Sequence, residues 1–254
     1  MKAWIRTPII IIGIAVALSA CSSAAKKAEE EPRHETPSRI NTELGLGYLR
    51  QGDYRRSMEK LKAALRYDAE NPQAHHYIAE LHRRLGDNGS AVKHYERAIE
   101  LAPEDARLRN NYGTFLCEQN QFQQAEVQFL LAIGDPLFGG RMQSYENVGI
   151  CAAQAGKLKK AEAYLRKALN SNPKLPTALY RMSMINYDKG DYLRARAYLQ
   201  RYEQVATHNA ESLWLGIQVE HQLGDRDVML KYATELSRRF SESEEWAEYT
   251  SKRW

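Results

Sequence analysis

Turn-forming residues recur along this chain at nearly constant intervals, and that spacing limits the possible folds more than any other feature. The intervals are 34, 34, 36, 34 and 34 residues, between Gly52, Gly86, Asn120, Gly156, Gly190 and Gly224. Each turn lies between two stretches with helical apolar periodicity, and Gly and Asn tolerate the left-handed conformation found at helix ends. The spacing therefore predicts six helix-turn-helix units stacked side by side.

A 34-residue helix-turn-helix period is characteristic of the tetratricopeptide repeat, in which helix A packs against helix B. The repeats are predicted at residues 38–71, 72–105, 106–141, 142–175, 176–209 and 210–243. Their eighth positions are small in five of six cases, which allows helix A to approach helix B: Gly45, Ala79, Gly113, Gly149, Ser183 and Ile217. The sequence thus predicts an all-α, right-handed tetratricopeptide-repeat superhelix.

The sixth repeat fits this pattern least well, as expected at the end of a solenoid, where no further repeat follows. Beyond it, residues 244–254 are predicted to form a capping helix. Ser243 is a suitable N-cap and acidic residues occupy the first turn. Trp246, one turn before Tyr249, is expected to cover the last apolar surface.

The 36-residue interval marks a two-residue insertion between the third and fourth repeats, within residues 134–140. Two interpretations are open for it. A longer connector is favoured over a dedicated binding loop, because Leu137 and Phe138 can also tuck into the solenoid.

The amino terminus resembles an export signal. Lys2 and Arg6 precede an apolar run at residues 9–18, which is too short to span a membrane, so residues 1–20 are predicted to be a signal peptide. Residues 18–21 match a bacterial lipobox, with the Cys21 thiol as acyl acceptor; an ordinary cleavage site followed by cysteine is the alternative. Ser22, rather than Asp, predicts sorting to the periplasmic face of the outer membrane. Residues 21–37 lack large apolar side chains, which predicts a lipidated flexible tether.

Neither the composition nor the motifs indicate nucleic-acid binding or catalysis. The net charge is +4, or about +2 without Lys2 and Arg6, which is too small for a nucleic-acid binder. Hydrolase, nucleotide-binding and metalloprotease motifs are absent from the sequence, so no catalytic residue, metal site or cofactor is predicted. His76 and Glu80, four residues apart, could share a metal. The favoured interpretation is that the histidines of this region, including His75 and His82, fill packing positions.

Helix A lines the concave face of such a solenoid, which is expected to bind an extended or helical partner segment. Positions two, five, nine and twelve predict its lining: Arg39, Thr42, Leu46 and Leu49 beside Arg50 in the first repeat, Tyr180, Met184 and Tyr187 in the fifth, and Trp214 in the sixth. Leu46 and Leu49, flanked by Arg39 and Arg50, are the hypothesised anchor for an apolar segment. Packing on Leu81 is the alternative for the leucines, and core packing is the alternative for Tyr180 and Trp214.

Cys117 and Cys151 occupy the twelfth and tenth positions of neighbouring first helices. In an oxidising periplasm they are predicted to form a disulfide, with two buried thiols as the alternative.

Three strings carry a more specific resemblance: residues 74–87, 110–133 and 135–156. Together with the lipobox, they resemble the PilF/PilW type IV pilus biogenesis and stability lipoproteins over essentially the whole mature chain. The resemblance implies a monomeric, non-enzymatic outer-membrane pilotin without a cofactor. Such a protein binds the pilus secretin, promotes its localisation or multimerisation in the outer membrane, and so supports twitching motility. A repeat lipoprotein that gathers peptidoglycan enzymes or assists β-barrel assembly is the alternative.

Overall fold

The computed structural model describes residue 1 and residues 36–252. The predicted signal peptide at 1–20, the predicted acyl acceptor Cys21 and the predicted tether up to residue 35 therefore lie outside the described residues, apart from Met1. Within the described range the chain forms thirteen helices and no strand. They are α1 (Pro37–Arg50), α2 (Tyr54–Tyr67), α3 (Pro72–Arg84), α4 (Asn88–Leu101), α5 (Ala106–Glu118), α6 (Phe122–Gly134), α7 (Arg141–Gln154), α8 (Leu158–Ser171), α9 (Pro176–Asp188), α10 (Tyr192–Glu203), α11 (Ala210–Leu223), α12 (Arg226–Arg239) and α13 (Glu244–Ser251).

The first twelve helices form six A–B pairs, as the spacing predicts. Odd-numbered helices from α1 to α11 are helix A, and even-numbered helices from α2 to α12 are helix B. Helix α1 begins at Pro37, one residue before the predicted boundary, because proline is well suited to the first helical position. The all-helical tetratricopeptide superhelix is therefore confirmed.

The A–B turns contain left-handed residues at all six predicted places. The five turn glycines have φ between 71° and 76°, and Asn120 has φ of 60°. Any other side chain would be strained in this region of backbone space. These residues end each helix A and reverse the chain into helix B.

Close contact between A and B explains the glycines at position eight. A Cβ on Gly45 would lie 2.6 Å from Cγ of Leu61, and one on Gly149 would lie 2.6 Å from Cγ of Leu165. Both leucines are fully buried. The core therefore follows the A–B interface, with the small residue of one helix receiving the large residue of the other.

The capping helix forms as expected. The Trp246 backbone N–H donates to the Ser243 hydroxyl oxygen at 3.2 Å, which confirms the predicted N-cap. The rings of Trp246 and Tyr249 stack with centroids 5.3 Å apart. Both pack against the apolar cluster of α11 and α12 that includes Leu213 and Leu236, and they cover the end of the core.

The joint between the third and fourth repeats is a connector from the end of α6 to the start of α7. The Leu137 side chain is 92% exposed, so it does not tuck into the solenoid. Phe138 is half-buried, and its ring fills the space where a side chain on Gly140 would lie. Among the described helices, none has the length and apolar character needed to cross a membrane.

Candidate functional site

A cleft of 260 Å³ opens on the face formed by three successive A helices, α1, α3 and α5. We refer to it as the α1–α5 cleft. Its lining residues are Leu46, Leu49, Arg50, Gln73, His76, Tyr77, Glu80, Arg84, Asp105, Arg107 and Asn111. Since each repeat contributes part of the wall, the site depends on the stacking of the first three repeats.

Three arginines surround this cleft. Arg84 donates to the Leu49 backbone carbonyl at 3.2 Å, which satisfies one of the last carbonyls of α1. The Arg107 side chain is 70% exposed and lies 3.9 Å from the Asp105 carboxylate. Arg50 is exposed at the C-terminal end of α1. Their guanidinium groups give the mouth of the cleft a supply of hydrogen-bond donors suited to carboxylates.

Of the two acidic residues on the cleft wall, Asp105 pairs with Arg107 and Glu80 is engaged within the fold. Its carboxylate accepts hydrogen bonds from the Tyr95 hydroxyl and from Arg83, the latter at 3.0 Å. Arg83 also donates to Glu118 at 2.7 Å. Burial opposes a charged Arg83, but Glu80 and Glu118 raise its pKa overall. Glu80 therefore offsets little of the positive charge that the cleft presents to a ligand.

His76 forms a neutral, polar part of the floor. It is 8% exposed, and its Nε2 lies 3.0 Å from the Asn111 side-chain nitrogen. That nitrogen can only donate, so Nε2 accepts and the proton resides on Nδ1. Burial lowers the pKa of His76, against the opposing effect of Glu80 and Asp105. The imidazole is thus positioned to orient Asn111 within the cleft.

His75 and His82 pack against His94 between α3 and α4, in line with the predicted packing positions of His75 and His82. His75 Nδ1 lies 2.9 Å from His94 Nδ1, and the His82 ring stacks on His94 with centroids 5.8 Å apart. Burial, with the two neighbouring histidines, lowers the pKa of His94 to about 4. Over the described part of the chain, no group of three or more His, Cys, Asp or Glu side chains is placed to hold a metal ion.

Two of the predicted lining residues are instead buried. The Thr42 hydroxyl, 4% exposed, donates to the Ser38 carbonyl at 2.9 Å and accepts from Asn71 at 3.2 Å. Leu49, 2% exposed, lies at the bottom of the cleft and belongs to a core cluster with Ile78 and Leu81. The prediction that Thr42 lines the groove is wrong, because its side chain is buried against Ser38 and Asn71. Leu49 does line the cleft, but it is packed in the core, so the packing alternative is correct for its side chain.

The rest of the predicted first-repeat set remains accessible. Leu46 is half-buried and lines the cleft together with Arg50. Arg39 is also half-buried, but it pairs with Glu43 one turn along α1, at 2.9 Å, and does not line the cleft. Leu46 is therefore the accessible apolar contact that α1 offers within the cleft.

The predicted residues of the fifth and sixth repeats form a separate surface. Tyr180, Met184 and Tyr187 are half-buried along α9 and pack on the core beneath them. Burial raises the pKa of Tyr180 to about 12. Trp214 on α11 is half-buried, and the Lys252 ammonium lies 4.8 Å from its ring centroid. The structure does not place these residues in the α1–α5 cleft.

Cys117 and Cys151 form a disulfide, which confirms the predicted pair. Their Cα atoms are 5.8 Å apart, and the bond joins α5 to α7. It therefore links the A helices of the third and fourth repeats.

Several cleft residues were missed by the positional prediction: Tyr77, Arg84, Asp105 and Asn111. Tyr77 and Asn111 both occupy position six of their repeats, and Arg84 occupies position thirteen, like Arg50. The recurrence of arginine at position thirteen in two successive repeats is a signal that the sequence contained.

These features define a class, the tetratricopeptide-repeat proteins, which bind protein segments on a face of stacked A helices. The family model of the tetratricopeptide repeat matches residues 42–101, 78–136 and 149–211.

More specific matches come from individual proteins. The type IV pilus assembly protein PilF of Pseudomonas aeruginosa is 32% identical over 211 residues, which cover 83% of this chain and 84% of that protein. The solved structure of Pseudomonas aeruginosa PilF has a TM-score of 0.78 at 31% identity, covering 85% of this chain and 98% of the other. PilW, a widely conserved type IV pilus biogenesis factor, has a TM-score of 0.79 at 31% identity, with 84% and 98% covered. The chain belongs to the PilF/PilW-like family of tetratricopeptide-repeat proteins of type IV pilus biogenesis.

Proposed function

We propose that this chain is a pilotin. It binds the type IV pilus secretin and promotes the localisation and multimerisation of that secretin in the outer membrane. Family membership supports a role in pilus biogenesis. The α1–α5 cleft supports binding of a protein segment and carries the proposal, because it combines an accessible apolar contact with Arg50 and Arg84, which have no ion-pair partner among the described residues. No catalytic step and no cofactor is needed for this role.

Lipid anchoring through Cys21 would hold the protein at the outer membrane, where the secretin assembles. Two or three acyl chains on one residue hold a protein stably on a membrane, where a single chain does not. The variant Cys21→Ser is expected to leave the outer-membrane fraction while remaining folded. Ser22→Asp keeps the acyl acceptor and is the matched control, since it should move the protein to the inner membrane. If the Cys21→Ser protein still sediments with outer membranes in a strain without the secretin, the lipid anchor is refuted.

The segment recognised by the α1–α5 cleft is expected to pair an apolar side chain with a carboxylate. Leu46 offers the apolar contact, and the guanidinium groups of Arg50, Arg84 and Arg107 lie around the same space. Arginine binds carboxylates through two parallel hydrogen bonds, which fixes orientation as well as adding affinity. An apolar contact beside a charge-assisted one is the arrangement found at the centres of many protein interfaces.

The contact is tested with Leu46→Glu and with Leu44→Glu as the matched control. Leu44 lies on the same helix and is 45% exposed, but it does not line the cleft. Leu46→Glu is expected to weaken binding of purified periplasmic secretin fragments by about 1–3 kcal/mol, as loss of an interface contact does, with little change in melting temperature. Leu44→Glu should bind normally. A folded Leu46→Glu protein with unchanged affinity would remove the cleft from the proposal.

A further inference from the structure

A second cleft, of 410 Å³, lies among α4, α5 and α6. We refer to it as the α4–α6 cleft. Glu96, Ile99 and Glu100 form its α4 wall, Tyr112 and Leu116 form its floor, and Gln124 and Gln128 form its α6 wall. Two of these helices are helix B, which contributes nothing to the α1–α5 cleft. The two clefts therefore have different walls.

Helix α6 carries an exposed apolar strip beside this cleft. Val127 is 54% exposed, Leu130 is 41% exposed and Leu131 is 49% exposed. Residues three and four apart lie on one face of a helix, so Val127 and Leu131 adjoin Gln124 and Gln128 of the cleft wall. The floor residues Tyr112 and Leu116 are 8% and 2% exposed. A ligand bound to this strip would therefore contact an apolar surface that extends from α6 to the floor of the cleft.

The opposite wall is acidic. Glu96 is exposed and has no ion-pair partner among the described residues. Burial raises the pKa of Tyr112, and the Glu96 charge raises it further, as expected for a carboxylate facing the phenol. Glu100 is paired with Arg97 at 3.0 Å. The nearby Arg109 guanidinium donates to the Gln128 side-chain oxygen, at 3.0 Å, and to the Pro103 carbonyl, and makes no ion pair with Glu96 among the described residues. Glu96 is therefore the carboxylate of the α4 wall that has no cationic partner among the described residues.

Charge and composition distinguish between the possible occupants. Anionic lipid headgroups would be repelled by the unpaired Glu96. A second copy docked symmetrically through the same patch would bury the unpaired Glu96 of both copies in one interface without supplying a cation for either. Tether residues 22–36 contain no large apolar side chain to fill the cleft. The complementary occupant is a helix with apolar residues on one face and Lys or Arg beside them.

We propose that the α4–α6 cleft binds a basic amphipathic helix of a partner protein. Its apolar side chains lie on Leu131 and the Tyr112–Leu116 floor, and its cations face Glu96. This goes beyond the proposed pilotin function, because the site shares no wall residue with the α1–α5 cleft. The solenoid then holds two partner segments at once, one at each cleft.

The probe is a fluorescein-labelled helical peptide of fourteen residues with leucines at helical spacing and lysines elsewhere. A second peptide carries glutamate in place of every lysine. Binding to the full chain, in a mild detergent at fixed concentration, is followed by fluorescence anisotropy. Leu131→Gln removes the apolar contact and Glu96→Lys reverses the charge. Leu193→Gln alters a 69% exposed leucine on α10 as the matched control.

The lysine peptide is expected to bind saturably, and both cleft variants should weaken it by about tenfold or more. Leu193→Gln should have no effect, and neither should Leu46→Glu, which separates this proposal from the pilotin function. Thermal unfolding followed by circular dichroism verifies that each variant is folded. The proposal is overturned by absence of saturable binding, by equal binding of the glutamate peptide, or by folded cleft variants with unchanged affinity. Two other outcomes also overturn it, because they would identify a different occupant of the cleft. One is that Leu131→Gln abolishes dimer formation by this chain, and the other is that it abolishes binding to phosphatidylethanolamine–phosphatidylglycerol vesicles.

Discussion

Two glycines on α1, two residues apart, should respond in opposite directions to the same substitution. A Cβ on Gly45 would lie 2.6 Å from Cγ and 2.7 Å from Cδ2 of Leu61, whereas one on Gly47 would meet nothing within 4 Å. Alanine replaces a helix-interior glycine in both cases, which favours the folded state by about 0.8–1 kcal/mol. The packing cost arises only at Gly45.

That cost can be bounded from the surroundings of Leu61. Its side chain is fully buried, and its backbone nitrogen lies 3.4 Å from the added Cβ, so the residue has little room to retreat. Inserting a methyl group into a packed core costs about 1–3 kcal/mol. Gly47→Ala is thus expected to raise the free energy of unfolding by about 0.5–1 kcal/mol and Gly45→Ala to lower it by up to about 2 kcal/mol. The difference between the variants isolates packing, because helix propensity contributes equally to both.

Urea unfolding followed by circular dichroism measures the global effect. Hydrogen exchange of the α1 and α2 amides is needed as well, because a solenoid can open from its end without unfolding completely. Exchange in these helices should become faster in Gly45→Ala and slower in Gly47→Ala. Equal shifts of the same sign in both variants would refute the close approach of α1 and α2.

Further outcomes are expected at three sites. The double variant Cys117→Ser, Cys151→Ser should lose about 3–4 kcal/mol of stability, because the bond closes a loop with a sequence separation of 34; mass spectrometry without reductant should find neither thiol alkylatable in the unmodified chain. Glu146 is 5% exposed with Oε1 unpartnered, and burial raises its pKa above 4.5. The folded state therefore holds this proton more tightly, so stability should fall as the pH rises from about 4.5 through the raised pKa. Urea titrations at pH 4 to 8 should show that Glu146→Gln loses this decrease. Asn120→Gly should raise the melting temperature and Asn120→Ala should lower it, in line with the positive φ of 60°.

The sequence was sufficient for features that recur with the repeat. Turn residues, small position-eight residues and the spacing of Cys117 and Cys151 all follow from where one helix must meet the next. In the final repeat the small residue is shifted by one position from the place that the pattern predicts. The pattern assigns the A–B contact of this repeat to position eight, which is Ile217. In the structure Gly216, one residue earlier, makes that contact: a Cβ added to it would lie 2.9 Å from the Tyr232 ring on α12, while Ile217 is buried.

Side-chain exposure on helix A was harder to predict. A shift of one residue turns a side chain by about 100° around the helix, and this separates Leu49 in the core from the exposed Arg50. The exposed strip at Val127 and Leu131 was missed for another reason. Apolar residues on helix B indicate a buried face, and only the positions of the neighbouring helices show that these two remain accessible.

The disulfide between α5 and α7 also affects how the superhelix bends. Each repeat of a solenoid contacts only its neighbours, so elastic deformation is concentrated at the joints between repeats. A covalent bond across the joint between the third and fourth repeats limits how far that joint can open. The repeats before and after this joint can then bend more than the joint itself. Bending within the first three repeats and bending within the repeats that carry Tyr180 and Trp214 therefore take place on opposite sides of a covalently restrained joint.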